Sequence, residues 1–400
     1  MMERGPRGHE IAEKLENGRA KIGIVCAYDM DQPGGVGGQV RGHQRFLKAM
    51  GNEVLMISPS DDGKYRREEE GITLGKARNF SMEGTVSRTA GFWPHWPITP
   101  YLIHRREQFD ITDFHGEGSI PTMQMLLASP KSTANIVHFH VDQPKKRVHH
   151  AWKIVATILG SKMDGKIAVS ETARDLASHF LSGEFRLIPN GVDIEQFGPD
   201  VHPKQESGEA DFLDGKFNFF FVGRHEDRKG IKYLIQAFAK LRATVGGVRL
   251  IVGGDGKLRK SLEAMVNSEK IEDVVFVGQI PEAEKPAYYS LAAQTGVFCA
   301  PSYKGESFGV VLVEAMASGA AVIAGSNEGY KRVITDGEEG LVIDPRNIDQ
   351  LSGAMARIYQ DKELRMKMRA KGLVTAQQYD MRNVVNQAVE YYIEVASNLK

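Results

Sequence analysis

Two carboxylates and the loop between them carry the clearest chemistry in the chain. Residues 305–314 read Gly305-Glu306-Ser307-Phe308-Gly309-Val310-Val311-Leu312-Val313-Glu314, so seven residues separate Glu306 from Glu314. An apolar run at 297–301 precedes this stretch and predicts a buried parallel strand. The second half predicts a helix over 311–318, ended by Gly319. Strand, glycine-containing loop and helix in that order aim unpaired backbone N–H groups at the loop, where they can hold a diphosphate. The amides come from Ser307, Phe308, Gly309 and Val310. A carboxylate is repelled by phosphate, so Glu306 and Glu314 are expected to accept hydrogen bonds from sugar or ribose hydroxyls. Each also has a plainer reading, Glu306 as a negative charge near a helix start and Glu314 as a helix-surface residue.

A second loop has related chemistry. After a largely apolar predicted strand at 217–222 comes Gly223-Arg224-His225-Glu226-Asp227-Arg228-Lys229-Gly230, then a predicted helix over 231–244. Glycines and cations between strand and helix suit phosphate; the alternative is a solvated charged turn. The first half of the chain offers a glycine cluster, Pro33-Gly34-Gly35-Val36-Gly37-Gly38, between a predicted strand at 22–27 and a predicted helix from about residue 39 to 50. It permits positive φ and close approach of backbone to a ligand, but lacks the spacing of a dinucleotide fingerprint. His138 and His140 alternate along a predicted strand at 135–140. His140 stands at its C-terminal end, the edge where open α/β sheets bind ligands.

The Glu306-to-Glu314 pattern resembles the mark of the retaining GT-B glycosyltransferases of family 4, which include phosphatidylinositol mannosyltransferases and sucrose synthases. Ser-Phe-Gly after the first Glu strengthens the resemblance. It implies that Glu306 binds donor-sugar hydroxyls, Glu314 binds the ribose, and the loop amides bind the diphosphate. Arg224 and Lys229 match the family's cation pair and would neutralise charge growing on the leaving group. Backbone at Gly278 and Ile280 would meet the nucleotide base. His140 would sit beside the reacting sugar. The Pro-Gly-Gly-Val segment resembles that of phosphatidylinositol mannosyltransferases, placing Gly35 near the donor phosphate and Tyr28 near the acceptor. That subfamily has a polar residue where this chain has Gly37, and His-Glu where this chain has His115-Gly116-Glu117. Pro189-Asn190-Gly191-Val192-Asp193 matches the end of the family's first domain.

The resemblance implies transfer of a hexose, by preference mannose from GDP-mannose, to a hydroxyl acceptor with retention of configuration. In the family the leaving phosphate helps deprotonate the acceptor. A UDP-sugar is the alternative donor. The acceptor is a lipid such as phosphatidylinositol, another glycolipid or polyprenyl lipid, or a soluble polyol or sugar. Rival classes are a non-hydrolysing nucleotide-sugar epimerase, whose acid–base set cannot be placed, a phosphorylase, for which no pyridoxal-phosphate lysine stands out, and a non-catalytic nucleotide-sugar-binding scaffold. No dense Asp, His or Cys metal constellation is visible, so no obligate cofactor or metal is expected.

The 400 residues suit two α/β domains. Alternating strands and helices predict two Rossmann-like parallel sheets facing across a cleft. The expected division is an N-terminal extension over 1–19, an acceptor domain over 20–200, a linker over 201–215, a donor domain over 216–375, and a C-terminal helix over 376–400 that packs back on the first domain. Lys+Arg and Asp+Glu both number 51, which removes a global electrostatic argument for nucleic acid. Two cysteines in apolar runs, Cys26 and Cys299, read as buried hydrophobes of a reducing compartment. The charged first twenty residues carry no signal sequence, and no apolar run of about 20 residues exists to span a membrane. These features imply a cytoplasmic protein, with the inner membrane face as a second location. Peripheral contact would come from the aromatics and prolines of 92–101 beside His104, Arg105 and Arg106, or from a basic segment containing Lys145, Lys146, Arg147 and Lys153. The plain alternatives are a loop folded over its own core and an ordinary helix with a solvated basic start.

Overall fold

The computed structural model describes residues 6–28, 30, 34–60, 62, 64–82, 85–90, 98–116, 119–140, 156–201 and 212–399. Its contacts divide the chain into two compact units, one of residues 1–191 with 381–400 and one of residues 192–380. The first junction thus falls before the expected residue 200. The second falls after residue 375, at the start of the last helix.

The first unit is built on a nine-stranded sheet. Its strands are β1 (Lys21–Cys26), β2 (Glu53–Ser60), β3 (Arg66–Arg67), β4 (Gly71–Met82), β5 (Thr85–Ala90), β6 (Ile111–His115), β7 (Ala134–Phe139), β8 (Gly165–Ala168) and β9 (Arg186–Leu187). The order is β3-β4-β2-β1-β6-β7-β8-β9, with β5 paired to β4. β3 and β5 run antiparallel to β4, and the other pairings are parallel. The order reverses between β1 and β6, and a crevice for ligands opens at such a switch point.

Local structure departs from simple residue preference in two places. The first long helix spans Gly35–Ala49 and so takes in the glycines expected to form a loop. Glycine is a poor helix former, but Val40 and Leu47 bury on the core side of this helix and hold it. A helix also forms at Ile98–Glu107 although it contains Pro100. Pro100 lies in its first turn, where the missing N–H has no helical acceptor to lose. The N-terminal segment contains a helix at Pro6–Glu16 whose Ile11, Ala12 and Leu15 are buried. They share a core with Val384, Val385, Ala388 and Tyr392 of the last helix, Met381–Ser397. That helix therefore packs within the first unit. Ser170 caps the helix Glu171–Ser178, its side chain accepting from the Ala173 N–H. The aromatic segment up to residue 97, Glu117, and the basic segment with Lys145, Lys146, Arg147 and Lys153 lie outside the described residues.

In the second unit a six-stranded parallel sheet runs β12-β11-β10-β13-β14-β15. Its strands are β10 (Phe217–Val222), β11 (Val248–Gly253), β12 (Val274–Gly278), β13 (Gly296–Ala300), β14 (Val322–Gly325) and β15 (Gly340–Ile343). Helices cover both faces, so the central strands are apolar on both sides rather than alternating, with Asn218 and Arg249 as buried exceptions. Phe219 and Phe221 face one core and Phe220 the other. Phe220, Tyr289 and Phe298 pack edge to face or tilted, with Tyr289 and Phe298 centroids 5.1 Å apart. Both cysteines are free and buried, and burial pushes the Cys26 thiol up to about 12. Among the described residues no helix is long and apolar enough to cross a membrane.

Phe298→Ala removes a fully buried ring from the centre of the second sheet. We expect it to cost about 3–5 kcal/mol, read as a lower urea midpoint for the second unit's unfolding. An unchanged midpoint would show that this aromatic cluster does not hold the unit.

Candidate functional site

The strand order of the second unit also reverses once, between β10 and β13. The loops that leave these two strands at their C-terminal ends are residues 223–230 and 301–309, the two segments singled out from the sequence. Backbone contact locks them together. Gly230 has φ +71°, and a Cβ there would lie 2.1 Å from the Pro301 carbonyl oxygen. The Tyr303 N–H donates to the Arg228 carbonyl over 3.1 Å. Arg228 Nη1 in turn donates to the Gly305 carbonyl over 2.7 Å.

Glu306 lies at the centre of this junction. Its Oε1 accepts from Lys229 Nζ at 2.6 Å and from Arg228 Nη1 at 3.1 Å. The three side chains are only 12–14% exposed. Burial alone would raise the Glu306 carboxyl, but Lys229 and Arg228 outweigh it and hold the group below its ordinary value. Burial, aided by Arg228 and opposed by Glu306, pulls Lys229 down from its ordinary value. Arg224 joins the network at its rim: its Nη1 is 3.3 Å from Glu226 Oε1, and its side chain is 43% exposed. Arg228 Nε donates to the other oxygen of Glu226 over 3.0 Å. The sequence named Arg224 and Lys229 but passed over Arg228. It bonds to Glu226, Gly305 and Glu306 together, and nothing in local spacing marks it.

Glu314 has a different environment. It sits in the helix Val310–Ala317, is 7% exposed, and accepts from Tyr289 Oη over 2.7 Å. The surface-residue alternative therefore fails. Burial raises its carboxyl above the ordinary value, more than Lys285 and the Tyr289 hydroxyl lower it. One motif thus holds two carboxylates whose surroundings push them in opposite directions, the pattern of groups with separate tasks. The helix has Gly309 as its N-cap at φ +105° and no side-chain cap. A Cβ at 309 would meet Tyr330 Cδ1 at 2.7 Å, so only glycine fits. Val310 is half-buried and Phe308 is turned into the core against Tyr379. Phe308 can therefore offer a ligand only its backbone, as can Ile280, which is 4% exposed. Gly278 ends β12 with φ +78°.

In the first unit, Gly35 opens the helix behind β1. Neither Gly34 nor Gly35 has anything within 4 Å of a built Cβ, and Gly34 gives the helix start no side-chain cap. Tyr28 is half-buried in the short link after β1, against Gly116. His140 follows β7 and is 7% exposed. Its Nε2 lies 3.0 Å from His115 Nδ1, and His115 Nε2 lies 3.1 Å from Asp113 Oδ2. Asp113 is held ionised by the imidazoles around it, against the effect of burial. An ionised carboxylate only accepts, so His115 Nε2–H donates to it and His115 Nδ1 accepts from His140 Nε2–H. Burial, reinforced by the neighbouring rings, keeps His140 well below its ordinary value and hence neutral.

The expectation of no dense metal constellation is corrected by the tertiary structure. His43, Asp113, His115 and His138 each offer a ligand atom within 4.8 Å of the others, and all four are buried. They come from one helix and two strands, so no sequence window shows them. The sequence placed His138 beside His140 on a strand and did not single out His43 or Asp113.

Comparison with known proteins finds two families. "Glycosyltransferase Family 4" matches residues 33–196, and "Glycosyl transferases group 1" matches residues 204–373. The phosphatidyl-myo-inositol mannosyltransferase of Mycolicibacterium smegmatis is 30% identical over 386 residues, covering 94% of each chain. A GDP-mannose-dependent alpha-(1-6)-phosphatidylinositol monomannoside mannosyltransferase of Mycobacterium tuberculosis is 29% identical over 235 residues, covering 56% of this chain and 61% of the relative. Among solved structures, sucrose-phosphate synthase from Thermosynechococcus elongatus superposes with a TM-score of 0.71 at 20% identity, covering 94% of this chain and 99% of that one. It shares the GT-B fold.

The raised Glu314 carboxyl has a pH signature. A group whose folded value lies above its ordinary 4.5 contributes stability that is full below 4.5 and is lost as pH rises through the folded value. Glu314→Gln cannot titrate and keeps an acceptor for Tyr289. Its melting temperature should gain on that of the native chain as pH is raised from 5 to 8. A constant difference would show that Glu314 is not a carboxylate buried at a cost.

Proposed function

We propose, because the chain belongs to the phosphatidyl-myo-inositol mannosyltransferase branch of glycosyltransferase family 4, that it transfers mannose from GDP-mannose to a phosphatidylinositol-type lipid with retention of configuration. The observation that carries the site reading is the convergence of Lys229 and Arg228 on Glu306 where the loops after β10 and β13 meet. The donor reading is supported by the GDP-mannose-dependent relative, and the acceptor reading by the relatives' shared phosphatidylinositol chemistry.

In this reading the diphosphate lies against the uncapped amides of residues 307–310, with Arg224 and Lys229 supplying positive charge. Charge develops on the leaving diphosphate in the transition state, so groups aimed there lower the barrier more than they tighten ground-state binding. Glu306 accepts hydroxyl hydrogen bonds from the sugar. Its charge is secured by the two cations, so it stays an acceptor. Glu314, fixed by Tyr289, accepts from the ribose. Backbone at Gly278 and Ile280 meets the base. The acceptor oxygen bonds to the sugar C1 as the C1–phosphate oxygen bond breaks, and the acceptor proton passes to the departing phosphate. On the first unit, the family pattern gives neutral His140 the role of a sugar hydrogen-bond partner, Gly35 that of a donor-phosphate contact and Tyr28 that of an acceptor contact. No metal enters these steps.

A lipid acceptor requires access to a membrane surface. On the helix Ile98–Glu107, Ile98, Tyr101 and Leu102 are 60%, 53% and 51% exposed. Their spacing of three and four residues puts them on one face, and the exposed Arg105 and Arg106 follow. His104, expected at this surface, is instead buried, with Nε2 3.1 Å from the Met125 carbonyl. The apolar face and the basic end suit an anionic bilayer surface.

Thermal shift should discriminate the donors. At one hundred times its dissociation constant a ligand adds about 2.7 kcal/mol of stability, so GDP-mannose should raise the melting temperature where UDP- and ADP-sugars do not. A rise with a UDP-sugar alone would replace the donor and keep the family, and no rise with any would favour a scaffold. Arg224→Ala removes an exposed cation outside the buried pair. It should cut turnover by about a hundred- to a thousandfold with the melting temperature kept; undiminished turnover would remove Arg224 from the site. The native chain should float with anionic vesicles and Leu102→Ser should float less. Failure of the native chain to float would sink the membrane reading.

A further inference from the structure

We propose that His43, Asp113, His115 and His138 form a closed, four-ligand site for a zinc-class divalent transition-metal ion inside the first unit. The site is distinct from the donor machinery and goes beyond the transferase reading.

Three observations converge. The first is burial: the side chains of His43, Asp113, His115 and His138 are at most 4% exposed. The second is unmet bonding. His43 Nδ1, His138 Nε2 and Asp113 Oδ1 are buried atoms with no hydrogen-bond partner among the described residues. His138 Nε2 lies 2.8 Å from Asp113 Oδ1, close but not aligned for a hydrogen bond. Polar atoms this deep with poorly aligned partners are costly, and a shared ion would meet all three around one point. The third is spacing. In a tetrahedral site with metal–ligand bonds of about 2.0–2.1 Å, ligand atoms stand roughly 3.3 Å apart. Here Asp113 Oδ2 lies 3.1 Å from His115 Nε2 and 3.8 Å from His43 Nδ1, Asp113 Oδ1 lies 2.8 Å from His138 Nε2, and one ligand atom from each of the four residues lies within 4.8 Å of the others, so an ion would draw them closer together.

The donor set chooses the ion. Three imidazoles and one carboxylate suit zinc and its neighbours, whereas magnesium and calcium demand mostly oxygen ligands. Four protein ligands fill a tetrahedral shell, so the site is structural and leaves no position for an activated water. A supporting hydrogen bond is in place: Tyr392 Oη donates to Asp113 Oδ2 over 2.8 Å, orienting the carboxylate from the last helix. The ion would join the helix Gly35–Ala49 to β6 and β7 at the sheet's switch point. With His115 Nε2 bound to it, His115 must carry its proton on Nδ1 and donate to His140 Nε2, so metal occupancy sets which nitrogen of His140 bears a proton.

The test is elemental analysis of the purified full chain after zinc-supplemented expression, followed by cobalt exchange. We expect about one zinc per chain and, with Co²⁺ in its place, the strong visible absorption of a four-coordinate ion. Tyr392→Phe removes only the supporting hydroxyl and should weaken zinc about 10- to 100-fold; His43→Leu removes a ligand and should weaken it at least as much. A chain that holds no zinc, shows no four-coordinate cobalt spectrum and gains no melting temperature on adding either ion would overturn the proposal. So would zinc retained in full by His43→Leu. None of these measurements uses a nucleotide sugar, so the outcome stands apart from the donor assignment.

Discussion

Glu306 and its two cations impose the constraint on which the second unit's site depends. Removing an ion pair from water is expensive, and removing one partner from a buried pair costs about 3–5 kcal/mol because the other charge is left stranded. Lys229 and Arg228 come from the loop after β10, and Glu306 comes from the loop after β13. Neither loop can move alone without stranding a buried charge. The glycine at 230 lets the two backbones touch, and the Tyr303 and Gly305 backbone bonds to Arg228 hold the contact. A site that must hold its charges still while a bond breaks is well served by loops pinned in this way.

The two carboxylates of the motif divide the labour through their surroundings. Glu306 is surrounded by cations and stays charged despite burial. Glu314 has a phenol and apolar neighbours, and the same burial makes its charge unfavourable. Keeping a reluctant carboxylate in a helix that otherwise buries only apolar residues makes little sense for stability, and its retention points to a ligand. The first unit repeats the theme with imidazoles. His140 is kept neutral and oriented by His115, which is itself tied to Asp113. In both units the polar groups gather where the strand order reverses, because there the loops on either side diverge and leave a space that helices do not fill.

Much of the architecture was legible in the chain itself. Strands such as Phe217–Val222 and Val248–Gly253 show as apolar runs broken only by Asn218 and Arg249, because both faces of a parallel sheet are covered. Caps such as Ser170 announce their helices. Local preference misleads where packing or position outweighs it. Glycines 35, 37 and 38 look like a loop, yet they are helical because the helix they begin buries Val40 and Leu47. Pro100 looks like a breaker, yet in a first turn it breaks nothing.

Read along its length, the chain specifies the class of fold, the family, and those site residues whose neighbours in sequence are also their neighbours in space. Glu306, Glu314 and the amides between them belong to one strand–loop–helix unit, and Arg224 and Lys229 belong to another. Which cation meets which carboxylate was settled by the tertiary fold alone. It brought Arg228 to Glu306, Tyr289 to Glu314, and His43, Asp113, His115 and His138 to one point. Sequence patterns record periodicity along an element, whereas these contacts are made across elements. Their partners are set by strand order and helix packing, which no window of the chain contains.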